Sequence, residues 1–196
     1  MSVPSNFIAG LDEVGRGSLF GPVYAGAVIL SDINKEFLFQ SGLKDSKKLS
    51  KKKISELSDL VLNNSIDWGL GFSSAQEIDH MGIRDATEYA MIRALNQLTH
   101  IPKLILVDGI LKIKKWSGPQ KTIVKGDSKE LSISAASVLA KNARDNILIN
   151  LSKDYPEYGL EKNVGYGTKY HREAIIKFGP SIDHRKTFLK KIHKNY

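Results

Sequence analysis

Apolar and β-forming residues gather first at positions 7–11 and 23–30, with a glycine-rich stretch closed by Pro22 between them. That pattern predicts two adjacent strands joined by a turn. Leu49, Ile54, Leu57, Val61 and Leu62 recur at near-helical spacing, which predicts a helix over 50–62, and residues 66–72 read as a third strand. Between 83 and 98, Ala86, Ala90, Ala94 and Leu95 fall on one side, as in a helix lying close against a sheet. Two short apolar runs, 104–107 and 122–124, stop at Asp108-Gly109 and at Lys125-Gly126-Asp127, and both read as buried strands. Residues 131–151 form a long helical pattern with Ala136, Leu139, Ala143, Ile147 and Leu151 as its apolar stripe. A helix over 169–178 and a final basic helix after Pro180 complete the reading. Strands alternating with helices imply an α/β protein with a mixed sheet. The first two strands are joined too briefly for a parallel crossover.

Composition narrows the function classes. The chain has 196 residues, which suits one domain or one domain with a small appendage. No apolar stretch approaches the ~20 residues that span a bilayer, so no membrane association is expected. The first residues lack a basic segment followed by a long apolar one, so no secretory signal is expected. With no cysteine, disulfide scaffolds, thiolate metal sites and cysteine nucleophiles are excluded, and a cytoplasmic location fits. Lys and Arg number 29 against 21 Asp and Glu, a net charge of +8 that favours polyanionic partners. Lys47, Lys48, Lys51, Lys52 and Lys53 cluster in one run, and Lys186, Lys190, Lys191 and Lys194 crowd the far end.

Four carboxylates stand where predicted strands give out: Asp12 and Glu13, Asp108, and Asp127. In an α/β sheet such positions can converge on one crevice. Clustered carboxylates without cysteine suit a hard cation such as Mg²⁺ or Mn²⁺, and two such ions can activate water against a phosphodiester. Blander roles compete. Asp108-Gly109 is a turn dipeptide, and Asp127 with Glu130 has the spacing of a capping box. Gly15-Arg16-Gly17 through Gly21 departs from a dinucleotide fingerprint because the third glycine is one place late, but it lets backbone groups approach a ligand closely. Ser46 and Lys47 offer phosphate contacts or a solvated loop, and Tyr166 between two glycines offers a ring for stacking or a half-buried turn residue. His171 and His184 lack metal spacing and read as surface or hydrogen-bonding residues.

Taken together, Gly10-Leu11-Asp12-Glu13-Val14-Gly15-Arg16-Gly17 with Gly21-Pro22-Val23 resembles the signature of the type 2 ribonucleases H, the bacterial ribonuclease HII family. Asp45-Ser46-Lys47-Lys48-Leu49-Ser50, Val107-Asp108-Gly109, Lys125-Gly126-Asp127, Ser134-Ala135-Ala136-Ser137, Gly165-Tyr166-Gly167-Thr168 and His184-Arg185 follow in the family's order. The resemblance implies a ribonuclease H-like fold: a mixed five-stranded sheet flanked by helices, a core over about 1–150 and a C-terminal helical extension over about 151–196. It implies a monomeric endoribonuclease that cuts the RNA strand of RNA–DNA hybrids and nicks DNA duplexes 5′ to single ribonucleotides, leaving 3′-hydroxyl and 5′-phosphate ends. Asp12, Glu13, Asp108 and Asp127 would hold Mn²⁺ or Mg²⁺. Gly15, Arg16 and Gly17 would read the 2′-hydroxyl, Tyr166 would stack on the neighbouring deoxyribose, and Ser46 and Lys47 would contact phosphate. A nuclease that needs a run of ribonucleotides and a non-catalytic hybrid-binding protein are the alternatives. Ser18, Phe20, Asn142-Ala143 and Val164 depart from the family pattern, the last at a position where lysine is usual.

Overall fold

The computed structural model describes residues 7–43 and 49–191. Five strands form one sheet: β1 (Ile8–Val14), β2 (Val23–Ile29), β3 (Asp67–Ser73), β4 (Leu104–Asp108) and β5 (Gln120–Ile123), in the order β3-β2-β1-β4-β5. β1 pairs antiparallel with β2 and parallel with β4, β2 pairs antiparallel with β3, and β4 pairs parallel with β5. The expected mixed sheet is thus present. β2 is buried along its whole length because helices cover both faces, which is why it reads as an apolar run without alternation.

The helices are α1 (Asp32–Gln40), α2 (Lys51–Asn64), α3 (Ala75–Met81), α4 (Ile83–Leu95), α5 (Leu131–Leu151), α6 (Leu160–Asn163) and α7 (Lys169–Phe178). α4 lies on one face, its Ala86, Ala90 and Ala94 fully buried in a core with Ala9, Leu11, Ala25 and Val107. It comes so close that a Cβ on Gly69 or Gly71 of β3 would collide with its carbonyls. α5 and α2 cover the other face, packing Ala135, Ala136, Val138, Ile54, Leu57 and Val61 around Val28. A third cluster joins Phe20 and Leu148 to Tyr158, Leu160, Val164 and Ile175, so the glycine-rich stretch is seated on the C-terminal helices.

Four sequence expectations change. The stripe proposed for α5 is incomplete: Ala136 and Leu139 are buried, but Ile147 is 37% exposed, because the first half of the helix is buried nearly all round and the second half turns toward Arg144 and Leu148. β5 begins two residues before the predicted strand and ends before the exposed Val124, and none of its four residues is fully buried where a buried strand is expected. α1 and α3 are absent from the hydrophobic pattern; α1 buries Leu38 alone, while α3 carries a capping box between Ser74 and Glu77. After Pro180 the expected basic helix is a short 3₁₀ helix, Lys186–Lys191.

Candidate active site

β1 outruns one of its neighbours. Its pairing with β4 runs from Ile8↔Leu104 to Leu11↔Val107, whereas β2 stays paired with it as far as Val14↔Tyr24. One step past the last β1–β4 pair come Asp12 and Asp108, near enough for the charge of Asp108 to act on Asp12. Asp12 is 5% exposed, and its Oδ1 accepts the Glu13 N–H at 2.8 Å. Burial, with the charges of Glu13 and Asp108 adding to it, pushes its carboxyl up to about 8, although a Ser137 hydroxyl on α5 favours the anion. Glu13 is also raised, again chiefly by burial and further by Asp108, with Arg16 opposing at 3.1 Å. Because β1 continues to Val14, Asp12 and Glu13 lie within the strand and point to opposite sheet faces.

Asp108 is anchored through Oδ1, which accepts the Gly126 N–H at 2.6 Å. Lys125, in the left-handed region at φ 55, turns the chain so that this amide reaches it. Asp127 follows in the 3₁₀ turn Gly126–Ser128 and is 4% exposed. It does not cap α5, whose N-cap is Glu130 with no side-chain cap bond, so the capping-box reading is set aside. Glu13 and Asp108 line a cleft of about 250 Å³ with Arg16, Arg84 and Glu88, whereas Asp127 borders a separate hollow with Phe39 and Ser134.

Among the described residues, no three acidic, histidine or cysteine side chains are gathered tightly enough to enclose an ion as they stand. The donor chemistry nevertheless fits a divalent cation. Asp12, Glu13 and Asp108 are all oxygen donors, and the first two are crowded enough by like charge and burial that a dication would relieve them.

The glycine loop borders these residues. Gly15 has φ +87, and a Cβ on it would run into the Arg144 guanidinium, whereas a Cβ on Gly17 would meet nothing within 4 Å. Arg16 Nη1 donates to Glu13 Oε1 at 3.1 Å, and Arg16 and Gly17 are the exposed residues of the segment, whereas Gly15 is buried. The Tyr166 ring is 38% exposed and lies 5.4 Å from the Arg144 guanidinium carbon. Ser46 and Lys47 lie outside the described residues.

Sequence reading missed what lies beneath the loop. Of the two roles expected for His171 and His184, hydrogen bonding holds and surface exposure does not: they are buried at 0% and 1%. Ser181 N–H donates to His184 Nδ1 at 2.9 Å, so the His184 proton sits on Nε2 and is donated to His171 Nε2 at 3.2 Å. His171 Nδ1–H in turn donates to the Tyr166 carbonyl at 3.0 Å. Burial lowers both, His184 to about 4 with the charge of His171 adding to it. Arg144 and Arg185 are likewise fully buried. No periodicity signals this, because their partners are carbonyls far away in sequence.

The mixed sheet in this order carries acidic residues near the ends of two adjacent parallel strands, β1 and β4. The family model for ribonuclease HII matches residues 9–195. A ribonuclease HII of Prochlorococcus marinus, strain SARG, is 58% identical over 184 residues, covering 94% of this chain and 96% of that one. Another, from strain NATL2A of the same species, is 56% identical over 190 residues, covering 97% of each. The solved ribonuclease H2 of Pyrococcus horikoshii OT3 superposes with a TM-score of 0.81 at 28% identity, covering 96% of this chain and 98% of that one. The chain belongs to the ribonuclease HII family and is a metal-dependent endoribonuclease of ribonuclease H type.

Proposed function

We propose that the chain hydrolyses the RNA strand of RNA–DNA hybrids and nicks duplex DNA on the 5′ side of an embedded ribonucleotide, leaving 3′-hydroxyl and 5′-phosphate ends. The observation that carries this reading is one juxtaposition: Glu13, Asp12 and Asp108 stand at the strand ends, and beside them Gly15 and the Tyr166 ring abut the same guanidinium. A 2′-hydroxyl is what separates RNA from DNA at a given position, and the exposed backbone at Gly17 offers N–H and C=O groups to it without a side chain in the way.

In this proposal Asp12, Glu13, Asp108 and Asp127 would hold Mn²⁺ or Mg²⁺. Such ions, when bound, polarise the scissile phosphate and make water a competent nucleophile near neutral pH. Asp12 and Glu13, from the two faces of β1, would supply carboxylate oxygens to those ions. The Gly126 amide fixes one oxygen of Asp108 and leaves the other for the site. Gly15, Arg16 and Gly17 contact the 2′-hydroxyl through their backbone, and Tyr166 stacks on the next sugar. Ser46 and Lys47 take backbone phosphate. A non-catalytic hybrid binder would have no use for buried carboxylates beside a polyanion, which they repel. Residues 1–150 act as the catalytic core and 151–196 as an extension that brings Tyr166 to it, the whole working as a cytoplasmic monomer without membrane contact.

Cleavage of a labelled continuous hybrid with Mn²⁺ or Mg²⁺, with a chelator control and the Asp108→Asn variant, tests the assignment. Chelator-sensitive cutting that the variant loses supports it; cutting by the variant at the wild-type rate removes Asp108 from the mechanism.

A further inference from the structure

Two loops that meet the substrate in the proposed function are tied together by a single side chain. Arg144, on α5 and 0% exposed, donates from Nε to the Pro22 carbonyl at 3.0 Å and from Nη1 to the Val164 carbonyl at 3.0 Å. Its Nη2 donates to Ser18 Oγ at 2.7 Å and to the Phe20 carbonyl at 3.3 Å. The guanidinium therefore spans the glycine loop on one side and the turn leading to Tyr166 on the other. The tie is reinforced by the Leu19 N–H, which donates to the Gly165 carbonyl at 2.8 Å. Arg185 supports the same loop from below, donating to the Gly21 and Arg16 carbonyls at 2.9 and 3.0 Å.

Among the described residues, neither guanidinium makes an ion pair with a carboxylate, and both are lowered by burial. Two buried cations without a direct ion pair are costly, so packing alone is a poor reason for them. Val164 adds to the cost: it is β-branched yet sits at φ 39, where such residues are rare. Its carbonyl is turned onto Arg144, and that contact helps to hold the turn. What arginine supplies that no apolar residue could is a rigid fork of donors reaching acceptors on two separate segments at once.

We propose that Arg144 is a positioning residue for substrate specificity, setting the gap between the Gly15–Gly17 backbone and the Tyr166 ring and thereby the ability to act on an isolated ribonucleotide. The inference rests on the proposed function. At an isolated ribonucleotide, one 2′-hydroxyl and one following deoxyribose fix the register of the cut, so both loops must stand at the right separation. A continuous hybrid offers a 2′-hydroxyl at every step, and a shifted loop still finds one.

The test compares kcat/KM on a DNA duplex with one ribonucleotide against kcat/KM on a continuous hybrid, for wild type, Arg144→Lys and Ser18→Ala. Lysine keeps the charge but cannot span both segments; Ser18→Ala keeps Arg144 and removes one acceptor. The ratio should fall about tenfold or more for Arg144→Lys and severalfold for Ser18→Ala, in line with the cost of small misplacements. The change in Tm on adding Mn²⁺ should stay as in wild type. A role in folding alone would lower both activities together and leave the ratio unchanged, which overturns the inference. If Arg144→Lys does not fold, the Ser18→Ala ratio decides. A wild-type chain that fails to nick at one ribonucleotide overturns the functional reading itself, a result distinct from an unchanged ratio.

Discussion

Replacing Asp12 by Asn should stabilise the metal-free protein while removing its activity. The carboxyl is held at about 8 against an ordinary 3.8, first by burial and then by Glu13 and Asp108. Between those two values the folded chain keeps a proton that the unfolded chain has lost. The contribution of Asp12 to stability is therefore complete below pH 3.8 and is lost as the pH rises through about 8. At about 1.4 kcal/mol per unit, the ceiling on the cost of ionising it in the folded chain is about 6 kcal/mol. Water reaching a site beside an open cleft reduces this, and a gain of about 1–3 kcal/mol at pH 8 is expected for Asp12→Asn, or roughly 3–10 °C in Tm. The amide oxygen can still accept the Glu13 N–H that now binds Oδ1 at 2.8 Å, so no backbone partner is lost. The assay is a pair of thermal melts in chelator at pH 4 and pH 8, followed by a Mn²⁺ titration. The variant's advantage should be near zero at pH 4 and largest at pH 8, and added Mn²⁺ should raise the wild-type Tm more than the variant's. An advantage equal at both pH values, or a variant less stable at pH 8, would refute the electrostatic reasoning.

Gly17→Ala should fold with an unchanged Tm, because the added Cβ meets nothing within 4 Å, yet lose nicking at an isolated ribonucleotide. Gly15→Ala should instead destabilise the protein, since its Cβ meets Arg144 and its φ is +87; melts and nicking assays on both separate the two effects. His184, lowered to about 4 and neutral in its bond to His171, should show no titration of its ring resonances by NMR between pH 8 and pH 5. Its contribution to stability is present above pH 6.5 and is lost as the pH falls through about 4, so titration near 6.5 would contradict the buried pair. Lys47→Ala should reduce the slope of log K against log salt for hybrid binding by about one, measured with Ca²⁺ in place of Mg²⁺; an unchanged slope removes Lys47 from phosphate contact.

The sheet is legible in the sequence because β1, β2 and β4 are largely buried and its helices regular. Ala86, Ala90 and Ala94 mark a helix that must lie close, and Gly69 and Gly71 receive it. α3 is legible in principle, through Ser74 and Glu77, but its seven residues are too short for a periodicity to declare. α1 buries one residue, so no apolar face marks it. Asp12, Glu13 and Asp108 can be named because acidic residues at strand ends are conspicuous, but β1 runs on to Val14, and that places the first two on opposite faces. Arg144 and the His171–His184 pair are out of reach. Their burial follows from partners such as the Pro22 carbonyl, 122 residues away from Arg144, and local sequence holds no trace of that pairing.

The most direct measurement is cleavage of a DNA duplex carrying one labelled ribonucleotide, with Mn²⁺ or Mg²⁺, beside an all-DNA duplex and a continuous hybrid, and with the product ends mapped. Cutting on the 5′ side of the lone ribonucleotide, leaving 3′-hydroxyl and 5′-phosphate ends and sparing the all-DNA duplex, is the predicted result. Cutting confined to the continuous hybrid would contradict the reading of a single 2′-hydroxyl by the Gly15–Gly17 backbone.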